Sequence, residues 1–231
     1  MIYALGEIVL VVIGILIALW INSTYNDYKE KKVEKIVLNN ILADIESDYK
    51  QLTKIDSIYS KHIKKLSEVR TAFFKNQNDS IKSYIKQLYH GAEIRDLNPR
   101  TTTYDEMINS GKLYNLTNKK LVDLFVNYYE MHENNMYQRR QDRIEYRNIH
   151  YAPEMNDYWL LFQSIRQNNK DVPELIESFV KNKNSLAYKT LKTNSAYGCD
   201  VINRAVLDIK KIKGANRILK SKIESELEIK K

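Results

Sequence analysis

The four histidines at positions 62, 90, 132 and 150 are the first residues to ask for chemistry. A di-iron helical bundle sets Glu three residues before His, so that both ligands project inward from one helix face. Here Tyr59, Gln87, Tyr129 and Arg147 stand at those places, which excludes that centre. His132-Glu133-Asn134-Asn135-Met136 begins like a zinc-protease helix, but Met136 occupies the place of the second imidazole. The single cysteine, Cys199, provides neither an internal disulfide framework nor a thiolate zinc site. No phosphate-cradling glycine loop and no Gly-x-Ser-x-Gly elbow occurs. The sequence therefore reads as non-enzymatic, with no catalytic residue, no metal and no cofactor.

Two clusters bear on binding instead. In QRRQDRIEYRN, residues 138–148, Arg139, Arg143 and Arg147 recur every four residues and share a helix face. Such a face suits nucleic acid. Asp142 and Glu145 are interspersed, however, and favour a solvated helix side with intrahelical pairs. Nucleic acid is not an expected partner. Tyrosine is abundant, at 17 residues. Tyr128, Tyr129, His132 and Tyr146, with Tyr137 nearby, either line a groove for a small molecule or form a Tyr-rich bundle core. Tyrosine serves both, with its apolar body and polar tip.

The elements that must position these residues are helices. Glycine and proline number only 6 and 3, and neither occurs between Gly14 and Gly91. That scarcity favours long helices over strands. The net charge is +8, with acidic residues distributed among the basic ones, as on a solvated helix surface. The chain opens MIYALGEIVLVVIGILIALWIN, in which residues 2–21 are apolar, small or aromatic except Glu7. Twenty helical residues rise about 30 Å, the thickness of a bilayer core. Without Glu7 the run spans only about 21 Å, too short to cross. No Lys or Arg precedes it, and Trp20 replaces the small residue that a signal-cleavage site needs. The run reads as an uncleaved single-span anchor, with Tyr3 and Trp20 at the two interfaces. Ala4, Glu7, Val11, Gly14 and Ala18 fall on one face of it. Either Glu7 reaches for the headgroups, or this small face with one polar group is an association surface for a second copy or a membrane partner protein.

Beyond the anchor, Leu38, Leu42, Ile45, Tyr49, Leu52, Ile55, Tyr59, Ile63, Leu66 and Phe73 hold a three-four spacing, as in a coiled coil or an amphipathic helix. That helix continues the membrane helix to about residue 75. A turn at 76–80 follows, then a short helix with Ile81, Tyr84, Ile85, Leu88 and Tyr89 on one side. Gly91 and Pro99 bracket a loop. Thr103 and Glu106 have capping-box spacing, and Gly111 suits the left-handed residue after that helix. Thr117 or Asn118 can cap the next helix, which runs from Lys119 to about Tyr151, before Pro153. Its inner face carries Leu121, Leu124, Phe125, Tyr128, Tyr129, His132, Met136 and Tyr146. Shorter helices follow near 154–166 and after Asp171, and a long one from 184, in which Gly198 and Gly214 are candidate kinks. The fold class is all-α: a transmembrane helix continuing into a long amphipathic helix, followed by an antiparallel helical bundle. The expected division is an anchor at 1–22 and a bundle domain at 23–231, with long helices near 25–75, 118–151 and 184–228.

Two blocks carry a resemblance. Tyr3, Ala4, Gly6, Glu7, Ile8, Gly14, Ala18, Leu19 and Asn22 resemble the anchor of a family of uncharacterised single-pass bacterial membrane proteins, in which Gln is usual where Trp20 stands. Tyr104, Glu106, Ser110, Gly111, Leu113, Tyr128 and Tyr129 are similar to that family's second block. The resemblance implies a cell-membrane anchor on a helical domain and brings no activity. It also implies a basic segment before the anchor, which would hold that end inside and send the domain out. Lys29, Lys31, Lys32 and Lys35 argue the opposite by the positive-inside rule. The expectation is an extracytoplasmic domain. The chain thus reads as a membrane-anchored helical interaction or sensor-like module, with a small-molecule receptor as the alternative.

Overall fold

The computed structural model of the chain describes residues 2–87 and 93–229, with side chains over 10–87 and 93–228. The Ala4 and Glu7 side chains, and Leu88, Tyr89 and Gly91, lie outside it. Among the described residues there are eight α-helices and no strand. They are α1 (Ile2–Phe74), α2 (Asn78–Lys86), α3 (Thr102–Asn109), α4 (Lys112–Asn115), α5 (Lys119–His150), α6 (Asn156–Arg166), α7 (Val172–Lys181) and α8 (Leu186–Ile229).

The long helices follow from what is missing as much as from what is present. Nothing between Gly14 and the end of α1 breaks it. Even Asn22-Ser23-Thr24 stays helical, with Thr24 Oγ1 donating back to the Trp20 carbonyl at 2.8 Å. α1 stops where Asn76 takes a left-handed φ of 53° and the Gln77 N–H closes onto the Ala72 carbonyl at 2.9 Å. The turn is therefore shorter than 76–80, because α2 already starts at Asn78. Asn118 caps α5 by accepting from the Leu121 N–H at 3.4 Å. α8 remains helical through Gly198 and Gly214.

Each long helix buries a seam of alternating three- and four-residue steps. On α1 it is Leu38, Ile41, Ile45, Asp48, Leu52, Ile55 and Tyr59, resuming at Leu66, Val69 and Phe73. On α8 it includes Ile202, Ala205, Ile209, Ile212, Asn216, Leu219 and Ile223. This is the spacing of helices that pack along a shared stripe. Three expected positions on α1 differ: Leu42, Tyr49 and Ile63 are only half-buried, while Ile41, Asp48 and Val69 are buried. The inward positions of a 3.5-residue repeat include a carboxylate, which an apolar count passes over.

The chain divides into two compact units. The first holds residues 1–47, 100–125 and 218–231. There α8 runs antiparallel to α1: Lys220 pairs with Glu46 at 2.6 Å, and Glu226 accepts from Asn118 at 2.7 Å. The neighbouring Thr117 donates both its N–H and its hydroxyl to Glu34, at 3.1 and 3.0 Å. The second unit holds residues 48–99 and 126–217. There Asp56 pairs with Lys213 at 2.9 Å and Ser67 meets Cys199 at 3.4 Å, so α8 is again antiparallel to α1. α2 and α6 both pack on α7, with Lys82 and Glu177 2.5 Å apart.

The turn around residues 101–116 corrects one expectation. Thr103 is inside α3, not at its cap, and Thr101 holds the N-cap position without a side-chain bond. Thr103 Oγ1 instead donates to Asp44 Oδ2 at 2.5 Å, tying α3 to α1, and Glu106 is exposed. Gly111 has φ 71° and ψ 0°, and a Cβ built on it meets nothing within 4 Å. The glycine is required by backbone conformation alone. Gly111→Val should cost about 1–2 kcal/mol and Gly111→Asn clearly less. Thr103→Val should cost about 1–2 kcal/mol while Thr103→Ser keeps most of the bond to the carboxylate. Urea unfolding of the detergent-solubilised chain measures both; equal losses for Val and Asn at 111 would show that side-chain space is what matters there.

Candidate functional site

The inner seam of α5 changes character along its length. It begins apolar, with Leu121 and Phe125, and continues as Tyr128, His132, Asn135, Arg139, Asp142, Tyr146 and His150, all buried. Within the second unit this polar stretch meets residues of α1 and α8 at successive levels.

At the first level the Tyr128 hydroxyl donates to Asp48 Oδ2 at 3.2 Å and accepts from Asn216 Nδ2 at 3.0 Å. Burial, and secondarily the Asp48 charge, push the phenol far above its ordinary value. It stays protonated and acts as a donor. One turn on, the His132 ring lies edge-on to Tyr128, with centroids 4.7 Å apart. Both its ring nitrogens are buried without a hydrogen-bond partner among the described residues. Burial holds its pKa down to about 4, so it is neutral at pH 7.

The third level holds the densest charge. Arg139 Nη1 donates to the Val201 carbonyl at 3.1 Å. Arg139 Nη2 lies 3.0 Å from Asp142 Oδ2 and 3.4 Å from Asp208 Oδ2. Arg204 Nη2 donates to Asp142 Oδ1 at 3.0 Å, and Gln138 Nε2 to the same oxygen at 3.2 Å. At the last level His150 Nδ1 meets Asn194 Nδ2 at 2.7 Å, the Tyr146 ring stacks on the imidazole, and Trp159 Nε1 donates to the His150 carbonyl at 3.1 Å.

These levels are closed. Tyr128, Tyr129, His132 and Tyr146 are 1, 6, 1 and 5 % exposed, so they form core and do not line a groove open to solvent. The three arginines spaced by four residues separate likewise. Arg139 is 1 % exposed, Arg143 is half-buried and paired with Asp96, and Arg147 faces solvent. On α5, Leu124 and Met136 are only half-buried, while Asn135, Arg139 and Asp142 take inner positions that the sequence reading did not give them. Their signal was present: all three continue the step pattern of Leu121, Phe125 and Tyr128.

The outer side of α5 carries a second seam with the same spacing, made of Tyr137, Arg140, Ile144 and Arg147, with Tyr151 continuing it just past the helix end. Tyr137, Ile144 and Tyr151 are 65, 48 and 63 % exposed. Among the described residues Arg140 and Arg147 make no ion pair, whereas Arg139 and Arg143 both do. On the apolar run, Val11, Gly14 and Ala18 are exposed, and a Cβ at Gly14 meets nothing within 4 Å.

A family model described as a family of unknown function, DUF6090, matches residues 7–176. The chain belongs to that family. The DUF6090 match takes in α5 with both of its seams and ends before α8, which supplies Asn194, Val201, Asp208 and Asn216 to the buried levels. No curated protein and no solved structure matches the chain.

The unpartnered His132 has a measurable consequence. The unfolded chain holds this imidazole near 6.5, and the folded chain near 4. Between those values the unfolded state binds a proton that the folded state refuses, so stability falls as the pH drops through that window. Above it the residue has no pH effect. His132→Phe should remove this component: the stability gap between variant and wild type should widen in the variant's favour by about 2–3 kcal/mol from pH 7 to pH 4.5. Urea unfolding at the two pH values measures it, and a constant gap would mean that the imidazole has solvent or a partner.

Proposed function

We propose that this DUF6090 member is a single-pass, cell-membrane-anchored helical module that works by binding another protein rather than by catalysis. The observation that carries the reading is the state of residues 10–21. Their large apolar side chains are 48–75 % exposed on an unbroken helix, while the long helices beyond them bury continuous seams. The candidate span reaches no burial against the rest of the chain. A bilayer supplies the missing cover, since a helical run of about twenty residues, as at 2–21, matches its core in length. The outer seam of α5 supports the interaction part. Tyrosine and arginine are the residue types that protein interfaces concentrate, and two unpaired guanidiniums around Ile144 suit an acidic partner. A symmetric contact of two copies centred on Ile144 would set Arg140 against Arg147, so this seam fits a different protein. The anchor's small-residue face is the surface proposed for self-association or for a membrane partner. The resemblance of the anchor favours an extracytoplasmic domain.

Alkaline carbonate washing should leave the chain in the membrane fraction. A C-terminal alkaline phosphatase fusion should be active and a C-terminal green fluorescent fusion dark. Release by carbonate would overturn the anchor, and the reverse fusion pattern would put the domain in the cytoplasm under the control of the four lysines.

Gly14 gives a clean test of the association face, because a side chain there meets nothing in the chain itself. Gly14→Ile should leave folding unchanged and lower self-association or partner association at least fivefold in a membrane two-hybrid assay, and Glu7→Leu should weaken it too. If both variants match wild type, Glu7 serves only to reach the headgroups.

A further inference from the structure

The outer seam of α5 alternates two kinds of side chain. Its large apolar groups, Tyr137, Ile144 and Tyr151, recur every seven residues, and Arg140 and Arg147 stand between them. The Tyr151 N–H still donates to the Arg147 carbonyl at 2.9 Å, so the spacing holds past the last helical residue. From Tyr137 to Tyr151 the seam runs about 21 Å. It lies wholly within the second unit. Beyond α1, no other described helix repeats an exposed large apolar side chain every seven residues.

The two guanidiniums lack partners for a local reason. None of the residues three or four places from Arg140 or Arg147 is acidic, so no intrahelical pair can form. Neither arginine makes an ion pair or a side-chain hydrogen bond among the described residues. Arg143, beside them, is already taken by Asp96. The seam therefore presents two uncompensated cations about 10.5 Å apart along the helix, with Ile144 between them. At its far end it opens into a hollow of about 510 Å³, lined by Ile144, Arg147, Asn148, Tyr151, Ala152 and Pro153. The Tyr151 ring is stacked on Trp159, with centroids 5.4 Å and planes 9° apart. One wall of the hollow is thus fixed before anything binds, which lowers the ordering cost of binding.

We propose that this seam docks an acidic amphipathic helix of a second protein, one that repeats an apolar side chain every seven residues with a carboxylate between successive ones. An apolar side chain of the partner fills the hollow beside Ile144 and Pro153. Two carboxylates, one heptad apart, take the Arg140 and Arg147 guanidiniums in charge-assisted hydrogen bonds. The repeat itself argues for a helix, because seven residues is the period at which packed helices meet. An extended segment covers about 10 Å in three residues, and an odd step puts its side chains on opposite faces. It could not offer both carboxylates to the seam. Nucleic acid draws its affinity from many phosphate contacts, and two guanidiniums separated by an isoleucine supply few. A face of about four turns belongs to the small, transient class of interface. The proposal rests on the reading of the chain as a protein-binding module.

The test uses the full chain in detergent and two labelled, stapled helical peptides, with Leu every seventh residue and either Glu or Lys between successive leucines. Fluorescence anisotropy at low salt should show the Glu peptide binding at least tenfold tighter than the Lys peptide. Arg140→Glu with Arg147→Glu should reverse that preference. Ile144→Ser, at an exposed position, should weaken the Glu peptide at least fivefold with the circular dichroism spectrum unchanged. Lys61→Gln with Lys64→Gln, on exposed positions of α1 in the same unit, should change nothing. No binding of the Glu peptide up to about 1 mM overturns the site. So does equal affinity for the two peptides, or a preference that survives the double charge reversal. A single-stranded RNA of about 20 nucleotides that binds more tightly than the Glu peptide, and loses its binding with Arg140 and Arg147, also overturns it by making the seam a nucleic-acid face. The two-hybrid result at Gly14 separates the failures. If the peptides fail while Gly14→Ile still lowers association, only this site is lost; if both are silent, the protein-binding reading goes with it.

Discussion

A guanidinium buried to 1 % exposure in a helical core has to be neutralised and hydrogen-bonded, because an unpaired charge there costs several kcal/mol. Arg139 meets it at both Nη atoms with partners from α5 and α8, while its Nε is buried without a hydrogen-bond partner among the described residues. Asp142 lies three residues on along α5, while Asp208 and the Val201 carbonyl belong to α8. The contact to α8 is specific in register. Sliding α8 by one turn, about 5.4 Å, would exchange the Val201 carbonyl for another backbone carbonyl but withdraw Asp208, the only α8 side chain that pairs with Arg139 among the described residues. Within the second unit this one side chain constrains how α5 and α8 are aligned, in a way that no set of leucines would.

The levels on either side repeat the logic with Tyr128 and His150 in place of the guanidinium. Tyr128 joins Asp48 of α1 to Asn216 of α8, and His150 meets Asn194 of α8. The steps agree: from Tyr128 to His150 and from Asn216 back to Asn194 are the same number of residues, as an antiparallel pair demands. Apolar positions between them on α1 and α8 provide the burial, and the polar levels choose one alignment out of several that would bury similar area. His132 is the exception in this series. It has an aromatic neighbour but no hydrogen-bond partner among the described residues, and its neutrality follows from desolvation.

Much of this fold was legible as periodicity. The apolar spacing located the long helices, the absence of glycine and proline kept α1 whole, and Asn118 and Asp171 stand at the N-cap positions of α5 and α7. The seams were legible only in part, because they were read as apolar. Asp48 was passed over in favour of Tyr49, and Arg139 and Asp142 were assigned to a solvated side. Extending the step from Leu121 and Phe125 reaches Arg139 and Asp142 whatever their polarity. What no local pattern could give is that Asp208 and the Val201 carbonyl would be there to receive Arg139, and Arg204 to meet Asp142, each more than sixty residues away. Thr103 failed for the same reason: its spacing to Glu106 imitates a capping box, and Asp44, distant in sequence, takes its hydroxyl.

Rotation along α1 bears on how an anchor and a bundle can share one helix. The packing stripe of the first unit is Leu38, Ile41 and Ile45. The small stripe in the anchor, carried forward by the same steps from Gly14 and Ala18, passes through Ile21, Tyr25, Tyr28 and Lys32 to Asn39 and Leu42. The two stripes are therefore one residue apart, about 100° around the helix. A straight α-helix drifts about 20° per heptad against such a repeat, which over this distance turns the anchor stripe still further from the packing side. Tyr25 and Tyr28 are accordingly exposed. A neighbour on the anchor face does not compete with the helices that pack on Leu38, Ile41 and Ile45. The same continuous backbone presents the small stripe on one side and its own packing stripe on another, so a contact made through the apolar run would require no opening of the core.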